Sequence, residues 1–204
     1  MRRHKILLII TVVLGLLSGT WLVGAEAAGP WKGQIVDAET EKPLEGVVVL
    51  AVWYRRYASL GGWAGGGYYG SEEVVTRADG RFVIQSRSTW SLIPFSKIEG
   101  PEFYIFKPGY GPWRFRGGEE WLKLDIIERE KHFREAWKQF EGDGVVIELP
   151  PLKTGKQRLE ALSHASPPGE IPNRVMLRYL EALDQEAVVL GLQPTGRGRI
   201  GREK

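Results

Sequence analysis

Four groups of bend-forming residues constrain this chain most. They read Gly33-x-x-x-Asp37, Pro43-Leu44-x-Gly46-Val-Val-Val, Thr76-x-x-Asp79-Gly80-x-Phe82 and Lys107-Pro-Gly-Tyr110. Each stands beside a short apolar stretch, so residues 31–149 read as strands joined by tight turns.

Trp31 to Val36 reads as a first strand, Asp37 to Gly46 as a connection and Val47 to Tyr54 as a second strand. The second is nearly continuous apolar, the pattern of a strand buried on both faces. Its valines suit a pleated surface. In the connection Pro43 presets φ, Gly46 takes a conformation that a side chain forbids, and Leu44 is expected to point inward as a plug. Asp79-Gly80 is expected to make a two-residue type I′ hairpin turn. That register sets Ala78 against Arg81, Arg77 against Phe82, Thr76 against Val83 and Val75 against Ile84. Val75, Phe82 and Ile84 then form one core row. Phe103 to Phe106 reads as another strand, closed by Pro108-Gly109 at the centre of a type II turn. A further strand is expected to begin at Trp113 to Arg116. Val145 to Leu149 is the last, halted by Pro150-Pro151.

Two regions depart from this pattern. Glu119 to Glu141 reads as an inserted helix, with Ile126, Glu130, Phe133, Trp137 and Phe140 at spacings of three and four and Gly142 at its end. Gly155 to Ser163 and Pro172 to Leu190 also read as helices, the first capped by Thr154 and the second closed by Gly191. Val175, Leu177, Leu180, Leu183, Ala187 and Leu190 make the latter too apolar to lie free in solvent. Residues 193–204 are expected to be disordered.

The N-terminus follows the order of a secretory signal over residues 1–27. Basic residues Arg2, Arg3 and Lys5 precede an apolar run from Ile6 to Leu17, and Ala25-Glu26-Ala27 supplies a small-x-small cleavage site. The competing reading takes Ile6 to Gly24 as a membrane anchor, just long enough to span. Ser18-Gly19-Thr20 breaks the apolar stretch early and favours cleavage. An exported chain, periplasmic or extracellular, is therefore expected. Without cysteine it can hold no disulfide, thiol nucleophile or cysteine-ligated zinc. Its stability must come from an apolar core. Of 28 basic and 25 acidic side chains, seven and two lie outside residues 28–194, which leaves 21 and 23 there and a net charge of −2. A nucleic-acid binder would carry positive charge on its folded body, so that partner is not expected.

Taken in order, the four groups resemble the carboxypeptidase regulatory-like domain, and the resemblance spans roughly residues 31–152. It implies a mainly β fold, a Greek-key prealbumin-like (transthyretin-type) β-sandwich over 28–152, here with an inserted helix. A C-terminal helical appendage over 153–192 follows. It also implies a module without chemistry of its own, of the kind found beside catalytic domains or on exported proteins, where it assists folding, binds or tethers. Two features depart from the family pattern: a long glycine-aromatic loop after the second strand, and the helix before the last strand.

Candidate chemistry is sparse. His132 and His164 have no neighbour at metal-ligand spacing, and His4 lies in the leader, so no metal or cofactor is expected. Glu72-Glu73 and Glu119-Glu120 are adjacent, which on a strand sends them to opposite faces. Asp37 and Asp79 are accounted for by their turns rather than by calcium. No catalytic residue is assigned. The segment from Arg55 to Gly70 carries the candidate ligand-binding residues Trp63, Tyr68 and Tyr69, whose rings can stack on a sugar, grip a peptide or touch a membrane. The favoured alternative has Trp63 and Tyr69 fold back as a lid over one end of the body. The expected function is an exported, non-enzymatic binding module of the cell envelope, with an envelope protein or glycan as partner. The alternatives are an accessory carbohydrate- or peptide-binding protein of a hydrolase system, and a membrane-tethered scaffold if the leader is kept.

Overall fold

The computed structural model describes residues 27–196 except Leu92, together with Gly198. The expected signal and cleavage site therefore lie, apart from Ala27, outside the described residues. In chain order the elements are β1 (Ala27–Ala28), β2 (Trp31–Asp37), β3 (Val48–Ser59), β4 (Gly62–Val75), β5 (Arg81–Ile84), β6 (Arg87–Ser88) and β7 (Ser96–Phe106). Then come β8 (Arg114–Phe115), α1 (Gly118–Trp121), α2 (Ile126–Phe140), β9 (Val145–Leu149), α3 (Gly155–His164), a 3-10 turn (Asn173–Val175) and α4 (Leu177–Val189).

The fold is mainly β. A four-stranded sheet runs β5-β2-β9-β8, a three-stranded sheet runs β4-β3-β7, and β1 pairs with β6. β2 and β9 are parallel; the other pairs are antiparallel. The unbroken apolar run in β3 has the cause its pattern suggested, because β3 is a central strand covered on both sides. Val49, Ala51 and Trp53 join a core shared with Trp31, Ile35, Phe82, Ile84, Ile147 and Phe140. Val48, Leu50, Val52 and Tyr54 join a second core with Ile171, Met176, Tyr179 and Leu180 from the C-terminal region. Alternation along the strand divides the two sets. The C-terminal helices are thus a covering layer of the three-stranded sheet.

Local signals hold at several points. Leu44 is buried in the first core. Gly109, at φ 82°, lets Tyr110 N–H close onto the Lys107 carbonyl, as a type II turn requires. Thr154 caps α3 in a reciprocal box with Gln157. Leu192 N–H reaches back to the Ala187 carbonyl across Gly191, at φ 73°, and closes α4.

The Asp79-Gly80 hairpin is a correction. β5 pairs with β2, setting Gly33 against Phe82 and Trp31 against Ile84, whereas β4 pairs with β3. A type I′ turn needs positive φ at both central residues. Here Gly80 has it at 71°, and Asp79 does not. The turn instead closes one residue earlier, from Gly80 N–H to the Arg77 carbonyl, and carries the chain from one sheet to the other. Val75 consequently packs on the second core while Phe82 and Ile84 join the first.

Two further expectations change. The inserted helix is split, because Asp125 accepts from the N–H groups of Ile127 (2.8 Å) and Glu128 (3.0 Å) and starts α2 afresh. The start of the tail expected to be disordered is tied down: Asp184 accepts from Thr195 N–H (2.7 Å) and Gly196 N–H (3.0 Å).

Candidate functional site

Asp37, Thr76 and Asp79 of the four sequence groups are spent on bends. Asp37 accepts from Glu39 N–H (2.9 Å) and Thr40 N–H (2.8 Å), and Tyr110 donates its hydroxyl to the other carboxylate oxygen at 3.1 Å. Burial disfavours the Asp37 charge, but the Thr40, Glu39 and Tyr110 donors outweigh it and hold the carboxyl below its ordinary pKa. Thr76 accepts from Val47 N–H (2.9 Å) and donates to the Leu44 carbonyl (2.7 Å), locking the plug in place. Asp79 accepts from Arg81 N–H at 3.0 Å. Gly33 is required by its cross-strand partner, since a Cβ there would stand 2.6 Å from the Phe82 ring.

Trp63, Tyr68 and Tyr69 are not on a loop. β3 and β4 keep pairing as a ribbon out to the tip, through Tyr57 with Ala64 to Ser59 with Gly62, with β7 flanking β3 as far as Tyr57 with Ser96. The expected lid is therefore corrected: the ribbon's own ladder satisfies the backbone and holds Trp63 out, 51% exposed, with Lys97 Nζ 4.9 Å from its ring centre. Tyr69 is the extra residue of a bulge and lies under the Arg55 guanidinium. Tyr68 packs on the second core and shares a hydrogen bond with Ser71. The three rings do not make one platform.

The paired acids also diverge. Glu72 accepts from Gln85 N–H at 3.2 Å. Glu73 accepts from Arg178 N–H (3.1 Å) and Tyr179 N–H (2.8 Å), so it caps α4 from the neighbouring strand. His132 stacks on Trp121. Among the described residues no group of three or more His, Cys, Asp or Glu could hold a metal ion, and no helix is long and apolar enough to cross a membrane.

Sequence reasoning missed two features. The first is a buried clamp. Glu186 of α4, 2% exposed, accepts from Arg158 Nε (2.7 Å), a second Arg158 nitrogen (2.6 Å) and Gly109 N–H (2.9 Å). It joins both C-terminal helices to the Pro108-Gly109 turn, and its carboxylate raises the Arg158 pKa.

The second is a groove of about 410 Å³ between β7, the segment after Tyr110 and α3. Phe103, Tyr104, Ile105 and Phe106 all line it. Successive strand residues point to opposite faces, so a cavity that meets four in a row meets the strand's edge. β7 is an edge strand, and among the described residues no further backbone hydrogen bond outside the β3 ladder ends on those four. Trp113, Leu152 and Ala161 add apolar walls, with Glu160 and His164 also along the α3 side. Tyr104 and Tyr179 contribute hydroxyls whose pKa burial pushes up. Tyr179 donates to the Ala165 carbonyl (2.8 Å) and Tyr104 to Glu102 (3.0 Å). No sequence motif marks this groove, because its walls come from a strand and a helix that are distant along the chain. No family model, curated protein or solved structure matches the chain.

Proposed function

We propose that the chain is an exported, non-catalytic binding module of the cell envelope, a Greek-key prealbumin-like sandwich of the carboxypeptidase regulatory-like kind, that takes an extended apolar peptide segment of an envelope partner on the edge of β7. The observation that carries this reading is the groove meeting Phe103–Phe106 edge-on. An added strand bonds through its backbone to the open edge, while alternate side chains enter the apolar groove and set specificity. The sandwich assignment draws on a first core that takes residues from both larger sheets, and on turn residues that hold bends. A glycan partner draws less support, because Tyr68 is packed on the second core and Tyr69 lies apart under Arg55, which leaves Trp63 without a second free ring beside it.

Selection of random short peptides on the full chain tests the proposal. Enriched sequences should alternate apolar and polar residues and lack proline. Ala161→Trp, which fills the groove from α3, should abolish their binding without lowering the melting temperature, and Trp63→Ala should leave binding intact. No enrichment, or binding that survives Ala161→Trp, overturns the proposal.

A further inference from the structure

The far end of the β3–β4 ribbon carries apolar side chains that no core uses. Leu60 is wholly exposed at the tip and Trp63 stands half out. The Phe95 carbonyl accepts from Ala58 N–H at 2.8 Å, so the β6–β7 connection continues the sheet beside the tip. It adds Phe95, which is 83% exposed, together with Trp90 and Ile93. Ser96, at the start of β7, donates its hydroxyl to the Ile93 carbonyl (2.9 Å) and accepts from Ser91 (2.7 Å), which ties that connection to β7. Exposed apolar surface gathered at one end of a molecule marks an interaction site.

Charge identifies the kind of partner. Residues 54–71 and 86–98 contain Arg55, Arg56, Arg87 and Lys97 and no aspartate or glutamate, on a body whose net charge is −2. Glu99, at the base, pairs with Arg56 (3.1 Å) and Lys97 (2.8 Å) and offsets one of the four. Bulky apolar and aromatic side chains beside cations match the boundary of an anionic bilayer, where rings sit at headgroup level and basic groups meet lipid phosphates.

The course of the chain brings the N-terminal segment to the same end. β1 pairs Ala27 with Ser88 and Ala28 with Arg87, so the N-terminal segment arrives beside the start of the connection that bears Trp90. The apolar run Ile6–Leu17 ends ten residues before Ala27. Ten residues reach at most about 35 Å when fully extended. If the leader is kept, its ten-residue link to Ala27 leaves this end within about 35 Å of the surface; after cleavage the docking end stands on its exposed apolar side chains and its cations alone. From these observations we infer that the ribbon tip and the Trp90, Ile93 and Phe95 side chains form a docking end for an anionic lipid surface.

The cysteine-free chain allows a direct test. Leu60→Cys, Phe95→Cys and, as the distal control, Lys42→Cys are each labelled with an environment-sensitive fluorophore in the full chain. The proteins are mixed with vesicles of phosphatidylcholine and phosphatidylglycerol carrying a lipid-borne quencher. Labels at 60 and 95 should shift to the blue and be quenched several-fold more than the label at 42. Equal quenching at all three positions overturns the proposal. So does a label at 60 that stays in water beside the vesicles, including one shielded only by added glycan or protein. All three sites are exposed, and circular dichroism of each labelled protein confirms that the fold is retained.

Discussion

The Glu186–Arg158 clamp gives the sharpest test of whether the C-terminal helices belong to the body. Glu186→Leu strands a guanidinium that is three-quarters covered, together with the Gly109 N–H. Breaking a buried pair from one side costs about 3–5 kcal/mol, and the 23% exposure of Arg158 places this variant at the low end. Arg158→Leu leaves a carboxylate that is only 2% exposed with the Gly109 N–H as its remaining donor, which places it at the upper end of the same ~3–5 kcal/mol range. Replacing both removes the stranded charge and leaves one unpaired backbone donor, a cost of about 1–2 kcal/mol. The double variant should therefore be more stable than either single one, a positive coupling of ~2 kcal/mol or more. Urea unfolding followed by circular dichroism and tryptophan emission measures all four proteins. Single variants that each cost less than about 1 kcal/mol, or a double variant less stable than both, would refute a clamp that joins the helices to the Pro108-Gly109 turn.

Other outcomes follow from the same contacts. The Asp37 carboxyl titrates below its ordinary value of 3.8, so its stabilisation is complete above that pH and is lost as pH falls through the lowered folded value. Asp37→Asn should flatten that acid limb in unfolding curves measured across the range, and an unchanged limb contradicts the assignment. Trp63→Ala should cost no more than about 0.5–1 kcal/mol, because the ring stands out on the ribbon. A lid would cost ~3–5 kcal/mol on the same substitution, so a melting curve separates the two. Gly33→Ala drives a methyl into the Phe82 ring and should cost about 1–3 kcal/mol, with some of it recovered when Phe82→Leu is added.

The sequence was legible where an element is decided by its own neighbours. The run through Val47–Tyr54 announces a strand covered on both faces, since no half-exposed strand needs an unbroken apolar stretch of that length. Thr154 with Gln157, and Pro108 with Gly109, carry their geometry within a few positions. Partner choice was not legible. Asp79-Gly80 is compatible with a hairpin, and only the closure at Arg77 and the pairing of Gly33 with Phe82 send β5 to the other sheet. The glycines around Trp63 read as loop punctuation, although they sit in a ribbon whose backbone bonds depend little on side chains. Glu73 and Glu186 look like surface acids until α4 folds across β3. The donors to Glu73 lie 105 and 106 residues away, and those to Glu186 lie 28 and 77 residues away. The groove is the extreme instance. It exists only once α3 lies beside β7, and none of its residues carries a signature alone.

Residue-resolved amide hydrogen exchange across Phe103–Phe106, in the free chain and with a selected peptide bound, tests the open edge most directly. Alternate amides along this stretch should exchange fast in the free chain, those turned away from β3, and slow several-fold when the peptide binds. Uniform protection before any peptide is added, or protection that appears elsewhere and leaves β7 unchanged, would contradict it.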